Sequence, residues 1–80
     1  MQLSLLYFAA LRDLVQRSEE AYQTGATELT VAGLCDELTR VHPRLSWEGV
    51  RVAVNEEFVQ SDFRLTSGDV VAFIPPVSGG

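Results

Sequence analysis

Apolar residues fall into separate groups along the chain, and their spacing differs from group to group. Leu3 to Phe8 reads LSLLYF, a short run of large side chains bounded by polar residues. Such a run predicts a strand buried on both faces. In the AALRDLV that follows, Leu11, Leu14 and Val15 recur at i, i+3 and i+4, while Arg12 and Asp13 face away. That is helical spacing over about two turns. Gln16 to Thr24 is polar and mixed; Tyr22 with its alternate neighbours Glu20 and Thr24 suits an outer strand that Gly25 ends. Thr30 is placed as an N-cap, its hydroxyl able to accept from a free amide of the next turn. Val31, Leu34, Leu38 and Val41 then recur at helical intervals, with Arg40 near the end where it suits the helix dipole and Gly33 as a weak point inside. Pro43 stops this helix, because it disfavours helical geometry at His42.

The second half is strand-like. Val50, Val52 and Val54 alternate with Arg51 and Ala53, a period of two. Asn55-Glu56 is a tight turn, and Glu57 to Gln60 returns as the second arm of a hairpin. Ser61 to Arg64 reads as a loop and Thr66-Ser67-Gly68-Asp69 as a turn. Val70 to Ile74 (VVAFI) is again continuously apolar. It reads, like the first run, as buried on both faces. The two are natural neighbours in the middle of a mixed sheet, with Val31–Val41 packed across one face. The expected class is α+β, a ubiquitin-like β-grasp roll with a short extra helix after the first strand. Residues 1–74 form the domain. Pro75 to Gly80 (PPVSGG) form an extended, flexible tail, since two prolines cannot continue a sheet interior.

Composition narrows the function. The 80 residues carry six basic and eleven acidic side chains, for a net charge of −5. Nucleic-acid binders carry clustered Lys and Arg, so phosphate-backbone binding is excluded as the main role. One cysteine permits no internal disulfide, and one histidine with one cysteine cannot build a structural zinc site. No apolar run approaches the roughly 18 residues of a membrane span, and the N-terminus carries no secretion signal. A cytoplasmic location is expected. All six basic residues are arginine. Without lysine there is no Walker-type phosphate loop and no Schiff-base chemistry.

A catalytic centre is hard to find. His42 sits at a helix end and reads as a surface or capping residue. Cys35 flanks the apolar face of its helix and reads as an inert core thiol. Glu19-Glu20 and Glu56-Glu57 are sequence neighbours that point apart on a strand, hence a solvated face. Trp47 and Tyr22 read as packing residues. The unusual element is the end of the sequence. A Gly-Gly pair at a given place arises by chance about 0.5% of the time. Behind it stand Pro75 and Pro76, which hold the chain extended and carry it away from the sheet. Gly79 and Gly80 lack side chains, so a narrow channel in a partner admits them. The reactive group at the tip is the α-carboxylate of Gly80. A carboxylate is a poor electrophile and must be activated, and no motif here binds ATP, so a partner must use it. The alternative is an idle, frayed terminus.

The ending Phe73-Ile-Pro-Pro-Val-Ser-Gly-Gly80 resembles that of the small subunit of molybdopterin synthase. The opening Leu6-Tyr-Phe-Ala-Ala-Leu-Arg-Asp13 resembles that family's first strand and helix, and Val52-Ala-Val-Asn55 and Leu65-Thr-Ser-Gly-Asp69 fall at similar places. Gln16 departs from the pattern, since many members carry glycine there, and the local turn is expected to differ. Gly-Gly alone is shared with thiamine-pathway sulfur carriers and ubiquitin-related modifiers; the FxPP approach is more specific.

The resemblance implies a chemistry. A ubiquitin-activating-type adenylyltransferase adenylates Gly80, and a sulfurtransferase supplies sulfur to make a C-terminal thiocarboxylate. The tail then enters the molybdopterin synthase large subunit, where two cycles, one for each sulfur, build the dithiolene of molybdopterin from cyclic pyranopterin monophosphate. The family suggests two small and two large subunits. The chain binds no cofactor itself and is no enzyme alone. Gly80 carries the sulfur, Gly79 allows passage, and Pro75 and Pro76 set the tail's direction. Phe58, Ile74 and Val77 are the expected partner-binding residues, with Phe73 in the core. A thiamine-type carrier, and a ubiquitin-like modifier or interaction module, stay open beside this reading. With no lysine of its own, the chain offers no side-chain amine to attack an activated Gly80 and no site for polymeric chains.

Overall fold

The computed structural model describes residues 1–76. Its elements run β1 (Gln2–Tyr7), α1 (Ala9–Val15), β2 (Glu19–Gln23), β3 (Leu29–Thr30), α2 (Val31–Val41), β4 (Arg51–Val54), β5 (Glu57–Val59), β6 (Arg64–Leu65) and β7 (Val70–Ile74). Five strands form one sheet in the order β2-β1-β7-β4-β5, with β7 at its centre. Only β1 and β7 run parallel; the other neighbours are antiparallel. β3 and β6 form a separate two-stranded ladder, Leu29 opposite Leu65.

α2 covers one face of the sheet. It begins where Thr30 predicts: the Thr30 hydroxyl accepts from the Gly33 amide at 3.1 Å. Burying Val31, Leu34 and Leu38 orients the helix. Beneath it, a row of side chains crosses the sheet through the paired positions Val59, Val52, Phe73 and Tyr7. Leu5, Leu34, Val71 and Phe73 are completely enclosed. The Phe73 ring stacks on Tyr7 at 5.7 Å and meets Trp47 at 5.1 Å between centroids. Near the sheet's β2 edge, the Tyr22 hydroxyl donates to Glu37 at 2.7 Å, and the Thr24 hydroxyl donates to the same carboxylate at 3.0 Å.

Three local expectations need correction. β1 and β7 are not buried on both faces. Leu3, Leu5, Tyr7, Val71 and Phe73 point into the core, while Leu6, Ala72 and Ile74 are half-buried on a face that no helix covers. A continuous apolar run shows that both faces are apolar, and it does not show that both are covered. Arg64 belongs to β6 rather than to a loop. Gln16, expected to change the turn after α1, instead takes the left-handed conformation (φ 59°, ψ 37°), and its amide donates to the Arg12 carbonyl. That is a C-cap geometry in which glycine is unstrained. The turn is therefore kept, and a residue with a Cβ bears the strain.

Candidate functional site

The uncovered face of the sheet carries the candidate site. Four paired positions form a row across it: Phe58, Ala53, Ala72 and Leu6. Two alanines lie between larger side chains, so the row is low in the middle and high at its ends. The result is a groove of about 620 Å³ that also takes in Phe8, Val70 and Ile74. Phe58 is 54% exposed and Phe8 46%, unusual for aromatic rings on so small a domain. The Arg51 guanidinium lies over the Phe58 ring, 3.8 Å from its centroid, and props one wall of the groove. Of the residues expected to meet a partner, Phe58 and Ile74 thus lie together on this face. Phe73, expected in the core, is there. Val77, Gly79 and Gly80 lie outside the described residues.

The groove's far end is held by a polar knot. Asn55 and Glu56 both have positive φ (51° and 74°), the geometry of a primed hairpin turn that joins β4 to β5. The Asn55 amide donates to the Val70 carbonyl at 2.8 Å, and its side-chain oxygen accepts from the Val70 amide at 3.0 Å. Its side-chain NH2 donates to Asp69 at 3.0 Å. Asp69 also accepts from the Thr66 amide at 2.8 Å and the Thr66 hydroxyl at 3.1 Å. Burial pushes the Asp69 carboxyl up, but these hydrogen bonds outweigh it and hold the group below the usual 3.8. This knot was only half legible in the sequence: the turn residues are evident, the bond between two turns is not.

The other end of the groove is the end of β7. Ile74 pairs with Arg51. Pro75 and Pro76 follow without a further strand. A proline has no amide to donate, so the ladder stops at this point for a local reason.

The remaining candidates do not converge on a reaction centre. His42 caps α2, its backbone amide donating to the Leu38 carbonyl at 2.7 Å. Burial, with a smaller effect of the Asp36 carboxylate, pushes the Cys35 thiol up to about 11, so at neutral pH it is a thiol rather than a nucleophilic thiolate. Trp47 packs on Phe73 while its indole N–H donates to the Thr39 hydroxyl at 2.8 Å. Among the described residues, no three His, Cys, Asp or Glu side chains gather to hold a metal ion, and no helix is long and apolar enough to cross a membrane.

A mixed five-stranded sheet grasping one helix, with parallel β1 and β7 side by side, defines the ubiquitin-like β-grasp class. The structure of SAMP1 from Haloferax volcanii shares this fold with a TM-score of 0.84, covering all of both chains at 23% identity. Residues 5–80 match the model of the ThiS family, and the chain belongs to that family. Its full-length relatives include the molybdopterin synthase sulfur carrier subunit of Mycobacterium tuberculosis, 38% identical over 85 residues, covering 100% of this chain and 99% of that protein. The molybdopterin synthase sulfur carrier subunit of Escherichia coli is also 38% identical, over 82 residues, covering 98% of this chain and 99% of that one. The resemblance read from the tail and the first strand therefore extends over the whole sequence.

Proposed function

We propose that this chain is the sulfur carrier subunit of a molybdopterin synthase, acting in the cytoplasm. One observation carries the reading: relatives that match it from end to end bear that name. The geometry is consistent with it. β7 delivers the chain to Pro75-Pro76 past an open apolar groove, so one partner surface can hold the sheet face and receive the tail together.

In this reading Gly80 is the only residue whose covalent state changes. An adenylyltransferase of the ubiquitin-activating type forms the Gly80 acyl-adenylate at the expense of ATP. A sulfurtransferase supplies the sulfur, AMP leaves, and Gly80 becomes a thiocarboxylate. The large synthase subunit then takes the tail and the sulfur passes to cyclic pyranopterin monophosphate, Gly80 returning to a carboxylate; two such cycles, one for each sulfur, build the dithiolene. Gly79 gives the narrow profile that entry into a channel requires. Pro75 and Pro76 stiffen the approach, while Phe58, Ile74 and Val77 bind the partner. The catalytic side chains belong to the large subunit, so this chain is a donor and no enzyme by itself.

The family name favours a second reading, a carrier for thiamine synthesis. A single experiment separates the two. The chain and a variant lacking Gly80 are expressed in cells deleted for the resident carriers of both pathways. Restored molybdoenzyme activity with the full chain, lost on deletion of Gly80, supports the proposal. Restored growth without thiamine, with no molybdoenzyme activity, moves the assignment to the second reading.

A further inference from the structure

The segment just before β4 is built around the point where the chain leaves the sheet. Trp47 to Val50 is a tight turn closed by the Val50 amide donating to the Trp47 carbonyl at 3.0 Å. Gly49 holds φ +74°, the left-handed value that a type II turn requires at its third residue. β4 and β7 pair antiparallel with Arg51 opposite Ile74. Continuing that register by two residues on each strand brings Gly49 opposite Pro76. The contact is close: a Cβ added to Gly49 falls 3.1 Å from Pro76 Cγ and 3.5 Å from both Cβ and Cδ of the same ring. The turn is also fixed to the strand that carries the prolines, because Trp47 packs on Phe73. Trp47 and Gly49 thus bracket the last residues of β7 from one side.

We propose that Gly49 is a positioning residue for the sulfur-transfer terminus: its bare α-carbon is the seat against which Pro76 rests, and this seat sets the direction in which the chain leaves the sheet. The inference rests on the reading of Gly80 as the sulfur carrier and adds a residue remote in sequence from the tail. Two prolines alone stiffen a segment without aiming it. A stiff segment is aimed only when its base is held against something rigid, and the Trp47–Val50 turn supplies that surface. The seat fixes the point and direction from which the last four residues set out, so a displaced Pro76 lowers the fraction of approaches in which the reacting atom meets its acceptor.

The test has a structural arm and a chemical arm. In solution NMR of the whole chain, the Gly49 α-protons show nuclear Overhauser contacts to the Pro76 ring protons. Their absence in the unsubstituted chain overturns the seat, whatever the chemistry of Gly80. In the chemical arm, single-turnover sulfur transfer is measured with the thiocarboxylated chain and the large synthase subunit. The chain is compared with Gly49→Ala, Pro76→Gly and the double variant. Gly49→Ala lowers the transfer rate on the order of tenfold. In the Pro76→Gly background, where the added methyl meets no ring, the same substitution changes the rate less than about twofold, since coupling between contacting residues is removed with the contact. Its effect on Tm persists in both backgrounds, because alanine at positive φ is strained with or without the proline. An equal slowing in both backgrounds, or no slowing in either, overturns the inference. Failure of the unsubstituted chain to transfer sulfur overturns the functional reading instead, and the nuclear Overhauser result still decides the seat.

Discussion

Along β7 the side chains alternate between two surfaces of nearly equal hydrophobicity and opposite fate. Val71 and Phe73 are sealed beneath α2, whereas Val70 is 38% exposed and Ala72 and Ile74 are only half covered. The helix-covered face is filled by interlocking large residues, with Tyr7 and Phe73 stacked and Trp47 tilted against Phe73. The open face is hollow, because Ala53 and Ala72 occupy its middle. Close packing stabilises the fold, so the first face makes the domain. An apolar surface left hollow and wet is costly in isolation and becomes favourable only when something covers it. The same strand thus serves folding on one side and, under the proposed function, recognition on the other.

Substitutions can break this comparison, and the largest effect belongs to the covered face. Phe73→Ala removes a fully buried ring and is expected to cost about 3–5 kcal/mol in chemical denaturation. A loss below about 1 kcal/mol would mean that the core is not where the packing places it. Asp69→Ala leaves the Asn55 NH2 and the Thr66 amide without their acceptor and is expected to cost roughly 1–3 kcal/mol. Phe58→Ala, on the open face, is expected to cost less than about 1 kcal/mol of stability, chiefly the stacked Arg51 contact. It should nevertheless weaken binding to the proposed large-subunit partner on the order of tenfold to a hundredfold by titration calorimetry. Equal losses of stability for Phe58→Ala and Phe73→Ala would erase the distinction between the faces. The smallest effect is a gain: Gln16→Gly relieves the left-handed strain after α1 and should raise stability by up to about 1 kcal/mol, with no change in partner binding.

Titration sharpens the same picture. The folded state holds Asp69 below its ordinary 3.8, so its contribution is present above that value and is lost as the pH falls below it. Tyr22 is displaced the other way. Burial, and then the bond to Glu37, raise its pKa from 10.0 to about 12. Burial raises Tyr7 as well, reinforced by its bond to Glu20. Cys35 rises from 9.0 to about 11. Groups held neutral in this way contribute fully below their unfolded values. Stability should therefore be level from about pH 5 to 9 and fall as the pH climbs from 9 toward 12. Tm measured across that range checks the sign, and Tyr22→Phe should reduce the alkaline slope.

How much of this was legible depended on the range of the signal. α2 was readable because Thr30 and the Val31, Leu34, Leu38 spacing act within a few residues of one another. The β4–β5 hairpin was readable from its alternation and Asn55-Glu56. β3 and β6 were not, since two residues carry no periodicity and the pairing of Leu29 with Leu65 is long-range. The open face was half legible: Ile74 and Phe58 were nominated for a partner, yet Val70 to Ile74 also read as buried on both faces, because a side chain kept for a partner and one buried in the core have the same composition. Gly79 and Gly80 stood out in the sequence itself, whereas Gly49 could not, because its place opposite Pro76 exists only once β4 and β7 are in register.

Conversion of Gly80 to a thiocarboxylate is tested by intact-mass spectrometry of the chain. The chain is incubated with ATP, a sulfur source and an extract of its host, beside a known carrier as control. The expected result is a mass increase matching one sulfur in place of one oxygen, located by fragmentation to Gly80. An unchanged mass, in an extract that converts the control, would contradict it.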